Sequence, residues 1–144
     1  NMSTIDFNEN IEKIKKINLN IKGIFETNNI KEKIIFLEKK SLEENFWKDR
    51  SLAQKNIKEK KFFEDIFNNY LRSQKEVENL LELHNLASSE DDKDIINECE
   101  KNLILLLKEI KKIEAKCFLS EENDSFDVYL EIHAGAGGTE SQDW

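Results

Sequence analysis

The residues best suited to chemistry lie in one run close to Trp144. His133-Ala134-Gly135-Ala136-Gly137-Gly138 leads into Thr139-Glu140-Ser141-Gln142, and three of the chain's four glycines fall within four positions. Glycines so dense let the backbone turn sharply and approach another molecule closely. Thr139 and Gln142 have the spacing of a capping box, so a helix is expected to start there. The first amides of such a helix have no partner inside it and can donate to something outside. A P-loop would need Gly-Lys-Ser/Thr at this point, and no lysine follows. A dinucleotide fingerprint would need glycine where Glu140 stands. Two readings remain: donation to a neutral carbonyl oxygen, such as a base edge or a peptide oxygen, or a tight turn with no ligand.

Other reactive side chains are sparse. His84 has no second ligand at i+3 or i+4, which argues against a metal. Cys99 and Cys117 fall in one expected helix, 18 residues apart. At about 1.5 Å per residue they are separated by roughly 27 Å, too far for a disulfide. They read as small apolar residues in a reducing cytosol. No nucleophile, base and orienting group recur together, so catalysis by these residues is not expected. No cofactor or metal is expected either.

Charge narrows the partners. The net charge is −8, with 16 Lys+Arg against 14 Asp+Glu in residues 1–80 and 6 against 16 in residues 81–144. The second stretch repels phosphate and gives no electrostatic footprint for nonspecific nucleic-acid binding. Solubility explains the charge simply; a basic protein partner is the sharper reading. No run of 18 apolar residues occurs, so no membrane span is expected. The start lacks a signal pattern, and Asn1 before Met2 reads as a tag residue and a start methionine.

The elements that position these residues are mostly helical. The chain has no proline, and 36% of it is charged against 38% hydrophobic, as in helices with one apolar stripe and a wide wet face. Ile11, Ile14, Ile17, Ile21 and Ile24 mark a first helix over about 6–25, closed by Gly23 and Thr27-Asn28-Asn29. Ile30, Ile34 and Leu37 mark a short second one. Residues 43–49 break the pattern; Phe46 and Trp47 are expected to plug the corner, and Asp49 to cap the next helix. That third helix spans about 50–86, with Phe63, Ile66, Tyr70, Val77, Leu81 and His84 near one stripe. Residues 88–93 form an acidic turn in which Ser88 or Ser89 could cap the fourth helix. There, Ile96, Cys99, Leu103, Leu106, Ile110, Ile113 and Cys117 step by alternating threes and fours, a heptad seam. Short connections make neighbouring helices antiparallel. The expected fold is mainly α, an antiparallel helical bundle or coiled-coil arm. Residues 1–2 stand apart from it, 3–119 form the helical domain, and 120–126 a linker. From Asp127 the period becomes two, with Val128, Leu130 and Ile132 on one face of a half-buried strand. Residues 127–144 thus read as the first strand and helix start of a truncated α/β domain.

The run from Glu131 to Trp144 resembles the start of the decoding domain of bacterial class I peptide chain release factors. Gln142-Asp143-Trp144 resembles the branch of that family that reads UAA or UGA. Upstream, Asn45-Phe46-Trp47-Lys48-Asp49, Ala53-Gln54-Lys55, Leu80-Leu81-Glu82-Leu83 and Glu90-Asp91-Asp92 resemble its first helical domain. Two positions depart from the pattern: Arg50 stands where the family usually has proline, and Glu121 where it often has glycine. The resemblance implies stop-codon-directed release of the nascent peptide in the cytoplasm. It assigns Gly137 and Glu140 to the first base of the stop codon. It implies a ribosome-binding role for the helical part, near stalk-base proteins and rRNA, with the decoding centre, mRNA stop codon and peptidyl-tRNA met by the whole factor. A Ser-Pro-Phe-type codon-reading element and a catalytic Gly-Gly-Gln loop are expected beyond Trp144, so this chain alone is not expected to be an enzyme. The alternative is a stand-alone coiled-coil adaptor or oligomerisation module built on the 96–117 seam.

Overall fold

A computed structural model describes residues 3–121. Its helices are α1 (Thr4–Thr27), α2 (Ile30–Ser41), α3 (Arg50–Ser89) and α4 (Lys93–Glu121), with a 3-10 turn at Phe46–Lys48 before α3. No strand occurs among the described residues. The expected strand from Asp127, the helix start at Thr139, Gly137 and Glu140 all lie outside them. The chain divides into two compact units: residues 1–22 with 68–115, and residues 23–67 with 116–144.

The first unit packs three helical segments. Phe7 meets His84 and Lys15 meets Glu78, so α1 and α3 run antiparallel. Arg72 meets Glu109 across α3 and α4, which are also antiparallel because a short turn joins them. The core is Phe7, Ile11, Ile14, Ile17 and Ile21 of α1, Tyr70, Val77, Leu80 and Ala87 of α3, and Cys99, Leu103, Leu106, Ile110 and Ile113 of α4. The heptad seam is therefore buried within the chain. This weakens the oligomerisation reading, since a seam already covered cannot also zip a second copy.

The second unit is built on α2, the 3-10 turn and the first half of α3. Ile24, Phe25, Ile30, Leu37, Phe46, Phe62, Phe63, Ile66 and Cys117 are buried. Phe25 stacks on Phe67 at 5.7 Å, and the Lys33 ammonium lies 5.8 Å from the centre of the Phe63 ring. Asn28 donates to Ile24 O and to the Glu121 carboxylate, tying the end of α1 to the last turn of α4. Phe46 fills the corner as expected, but Trp47 does not: it stands edge-on to Phe46 at 5.0 Å and is 62% exposed. In a single 3-10 turn, adjacent side chains diverge, so only one of the pair can face inward.

Capping explains where the helices begin and end. Ser3 accepts from Asp6 N at 3.1 Å, Asp49 from Leu52 N at 3.1 Å, and Asp92 from Ile95 N at 3.2 Å. Asp49 caps α3 as expected. At α4 the cap is Asp92 rather than Ser88 or Ser89, because α3 continues through both serines and Ser89 donates back to Leu86 O. Asp91 then turns left-handed at φ 53°, and Asp92 N returns to Ala87 O at 2.9 Å. That closing bond leaves Asp92 as the first residue free to cap.

Candidate functional site

Each reactive side chain singled out in the sequence, and described here, proves to be a core residue. His84 is buried against Phe7, their ring centres 3.7 Å apart and planes within 11°. Burial pushes the imidazole below its ordinary 6.5, and the Glu100 carboxylate opposes that shift. Glu100 is itself buried, a feature its charge hid in the sequence. Cys99 and Cys117 are buried and are not joined in a disulfide. Burial, then Glu98 and Glu100, raise the Cys99 thiol above its ordinary 9.0, away from reactivity. Among the described residues, no group of three His, Cys, Asp or Glu side chains is placed to hold a metal ion. No helix among them is long and apolar enough to cross a membrane.

Several large apolar side chains of the first unit are exposed towards the α3–α4 turn. Phe7 and His84 fix the level of α1 against α3, so Ile5, two residues before Phe7, is level with Leu86, two after His84. Arg72 and Glu109 fix α3 against α4, so Leu86, fourteen residues on from Arg72, is level with Ile95, fourteen back from Glu109. Ile5 is 70% exposed, Leu86 57%, and Leu83 and Ile95 are exposed as well. The sequence showed the acidity of this end but not its apolar residues, since Leu83 and Leu86 read as ordinary positions in a helix rich in leucine.

Comparison with known proteins addresses the remaining residues. A family model described as the PCRF domain matches residues 30–144. A protein named peptide chain release factor 2 from Sulfurimonas denitrificans is 32% identical over 143 residues, 99% of this chain and 39% of its own length. Its counterpart from Listeria innocua matches at the same identity and coverage. That from Petrotoga mobilis is 33% identical over 134 residues, covering 93% of this chain and 36% of the relative. The chain thus spans about two fifths of the length of the curated relatives it matches. No solved structure matches it.

Proposed function

This chain belongs to the PCRF domain family, and we propose that it serves translation termination as the ribosome-binding helical part of a release factor 2. The observation that carries the reading is the family match over residues 30–144, which includes the glycine turn. The whole factor directs release of the nascent peptide at UAA and UGA in the cytoplasm. Residues 127–144 open its decoding domain, and the helix start beside Gly137 and Glu140 contacts the first base of the stop codon. Free amides at a helix start suit this role, because they select a carbonyl oxygen by position without needing positive charge. The helical part binds the ribosome by protein and rRNA contacts. Hydrolysis of peptidyl-tRNA belongs to a Gly-Gly-Gln loop of the whole factor, so this chain alone is not an enzyme.

The test is peptide release from termination complexes carrying UAA, UGA or UAG. The complete factor containing this chain should act on the first two and not on UAG, and Gly137→Val should impair it on both. The 144-residue chain alone should release nothing above the buffer rate. Release on UAG in place of UGA, an unimpaired Gly137→Val factor, or release by the chain alone would refute the reading.

A further inference from the structure

We infer that residues 122–127, which follow α4 outside the described residues, dock along the uncovered first turns of α3 as an acidic strap anchored by Phe126. The inference goes beyond the termination reading and does not depend on it. Three observations carry it. The first is an uncovered stripe. The face of α3 on which Phe62 and Ile66 are buried continues at helical spacing to Lys55 and Leu52. There it is wet: Leu52 is 46% exposed, and Lys55 is exposed as well. The neighbouring face, with Ala53, Asn56 and Phe63 buried, is the one that meets α2, where Lys33 lies over the Phe63 ring.

The second observation is where α4 ends. Asn20 donates to Glu114 at 3.1 Å and Asn28 to Glu121 at 3.4 Å, so α4 runs parallel to α1 and antiparallel to α3. Phe25 stacks on Phe67, so Asn28, three residues on, is level with Glu64, three back. Glu121 therefore ends near the level of Glu64, and α4 points from there to the start of α3. The third is charge. Residues 48–61 carry six Lys and Arg against Asp49 and Glu59, and Asp49 is engaged as the α3 cap. Residues 121–127 carry four carboxylates, Glu121, Glu122, Asp124 and Asp127, and no base.

Reach and register agree with this pairing. A helix rises about 1.5 Å per residue and an extended chain about 3.3 Å, so each extended residue passes roughly two of α3. Counted from Glu64, the run brings Asp124 between Lys58 and Lys55, Phe126 to Leu52 and Asp127 to the first turn with Arg50. The amide of Asn123, a donor, falls at the Glu59 carboxylate. The shared face fixes the side as well as the level: Lys55 and Leu52 lie on the uncovered stripe, and Lys58 borders it. One exposed ion pair contributes little, but a row of them with an apolar contact adds up. The strap is tethered to α4, so its docking is intramolecular and favoured by a high effective concentration.

The experiment places a photo-crosslinker at position 126 of the 144-residue chain and maps its products by mass spectrometry. In the unlabelled chain, it also follows the rate at which chymotrypsin cuts after Phe126. Crosslinks should fall on residues 51–59 of the same molecule. Lys55→Glu and Asp124→Lys should each keep the helical circular dichroism of the parent and speed the cut by about threefold or more, because attraction becomes repulsion. The two together should restore the slow cut, which a merely loosened fold would not do. Crosslinks between two copies or away from the first turns of α3, an unchanged rate in both single variants, or a double variant as fast as the singles overturns the inference. No ribosome enters these readouts, so their failure leaves the termination reading standing.

Discussion

Leu103→Ala and Leu105→Ala separate the inside of α4 from its outside at positions two residues apart. Leu103 is 0% exposed in the seam, and Leu105 is 59% exposed. Leucine to alanine removes three carbons, and each buried carbon contributes about 0.8 kcal/mol, so the transfer loss at Leu103 is roughly 2.5 kcal/mol. The packed neighbours can close only part of the gap, and the residual cavity brings the expected cost to about 3–4 kcal/mol. At Leu105 the side chain is mostly wet already, and the change should stay within about 0.5 kcal/mol. Urea unfolding followed by circular dichroism measures both. With a denaturant slope near ~2 kcal/mol per molar, Leu103→Ala should lower the midpoint by about 1.5–2 M. Equal losses at the two positions, or a larger one at Leu105, would refute the placement of the heptad seam inside the chain. The same result would revive a seam shared between copies, because then Leu105 would not be the wet side.

Other substitutions probe the caps and the buried polar groups. Removing the cap carboxylate by Asp49→Ala or Asp92→Ala should cost about 1 kcal/mol in the same assay, because each leaves a first-turn amide without its acceptor. Ser73 is buried, and its hydroxyl has no hydrogen-bond partner among the described residues. Ser73→Ala should therefore be neutral or stabilise by up to about 1 kcal/mol, and a clear loss of stability would show that the hydroxyl is bonded. The buried imidazole makes stability depend on pH. With its folded pKa depressed below 6.5, the unfolded chain takes up the proton first. The contribution is then full above 6.5 and lost as pH falls through that value towards the folded one. Urea midpoints of the parent and His84→Phe should diverge in this sense on acidification, with the parent losing more; parallel curves would refute it.

How far the sequence could be read depended on whether one residue or several decided a feature. The α4 seam was legible because seven apolar positions repeat in phase, and six of them, from Cys99 to Cys117, are buried; Ile96, nearest the turn, is half-buried. Asp49 as a cap was legible because a carboxylate three residues before a free amide has a local geometry. The serines before α4 misled for the opposite reason. Their fate depends on how far α3 continues, which Asp91 decides by turning left-handed. Trp47 was misread, and Glu100 was passed over, because burial is set by partners distant in sequence. A tryptophan suggests a core and a glutamate a surface, yet here Trp47 is exposed and Glu100 is buried. Gly137 and Glu140 lie outside the described residues, so their role rests on sequence and family alone.

The first unit buries more polar groups than a simple seam requires. His84 and Glu100 lie towards the α3–α4 turn, and Asn18 and Ser73 lie further along. Asn18 is eleven residues on from Phe7, and Ser73 is eleven back from His84, so the second polar pair shares one level as Phe7 and His84 do. Isoleucine and leucine repeats are nearly self-similar, and a shift of one heptad would bury almost the same surface. Polar groups are not interchangeable in that way. Sliding α3 by seven residues in the sense that keeps His84 on α1 would take it off Phe7 and set it level with Ile14, with Ser73 level with Phe25 and Asn18 with Leu80. Each mismatch strands a polar group in apolar surroundings, at a cost of about 1–3 kcal/mol. Asn18 Oδ1 and Ser73 Oγ lack partners among the described residues in the native register as well, so it is the stacking of His84 on Phe7 that marks that register. Ile5, Leu86 and Ile95 reach one level only when the three segments are in phase, so the polar residues inside the unit align the apolar ones outside it.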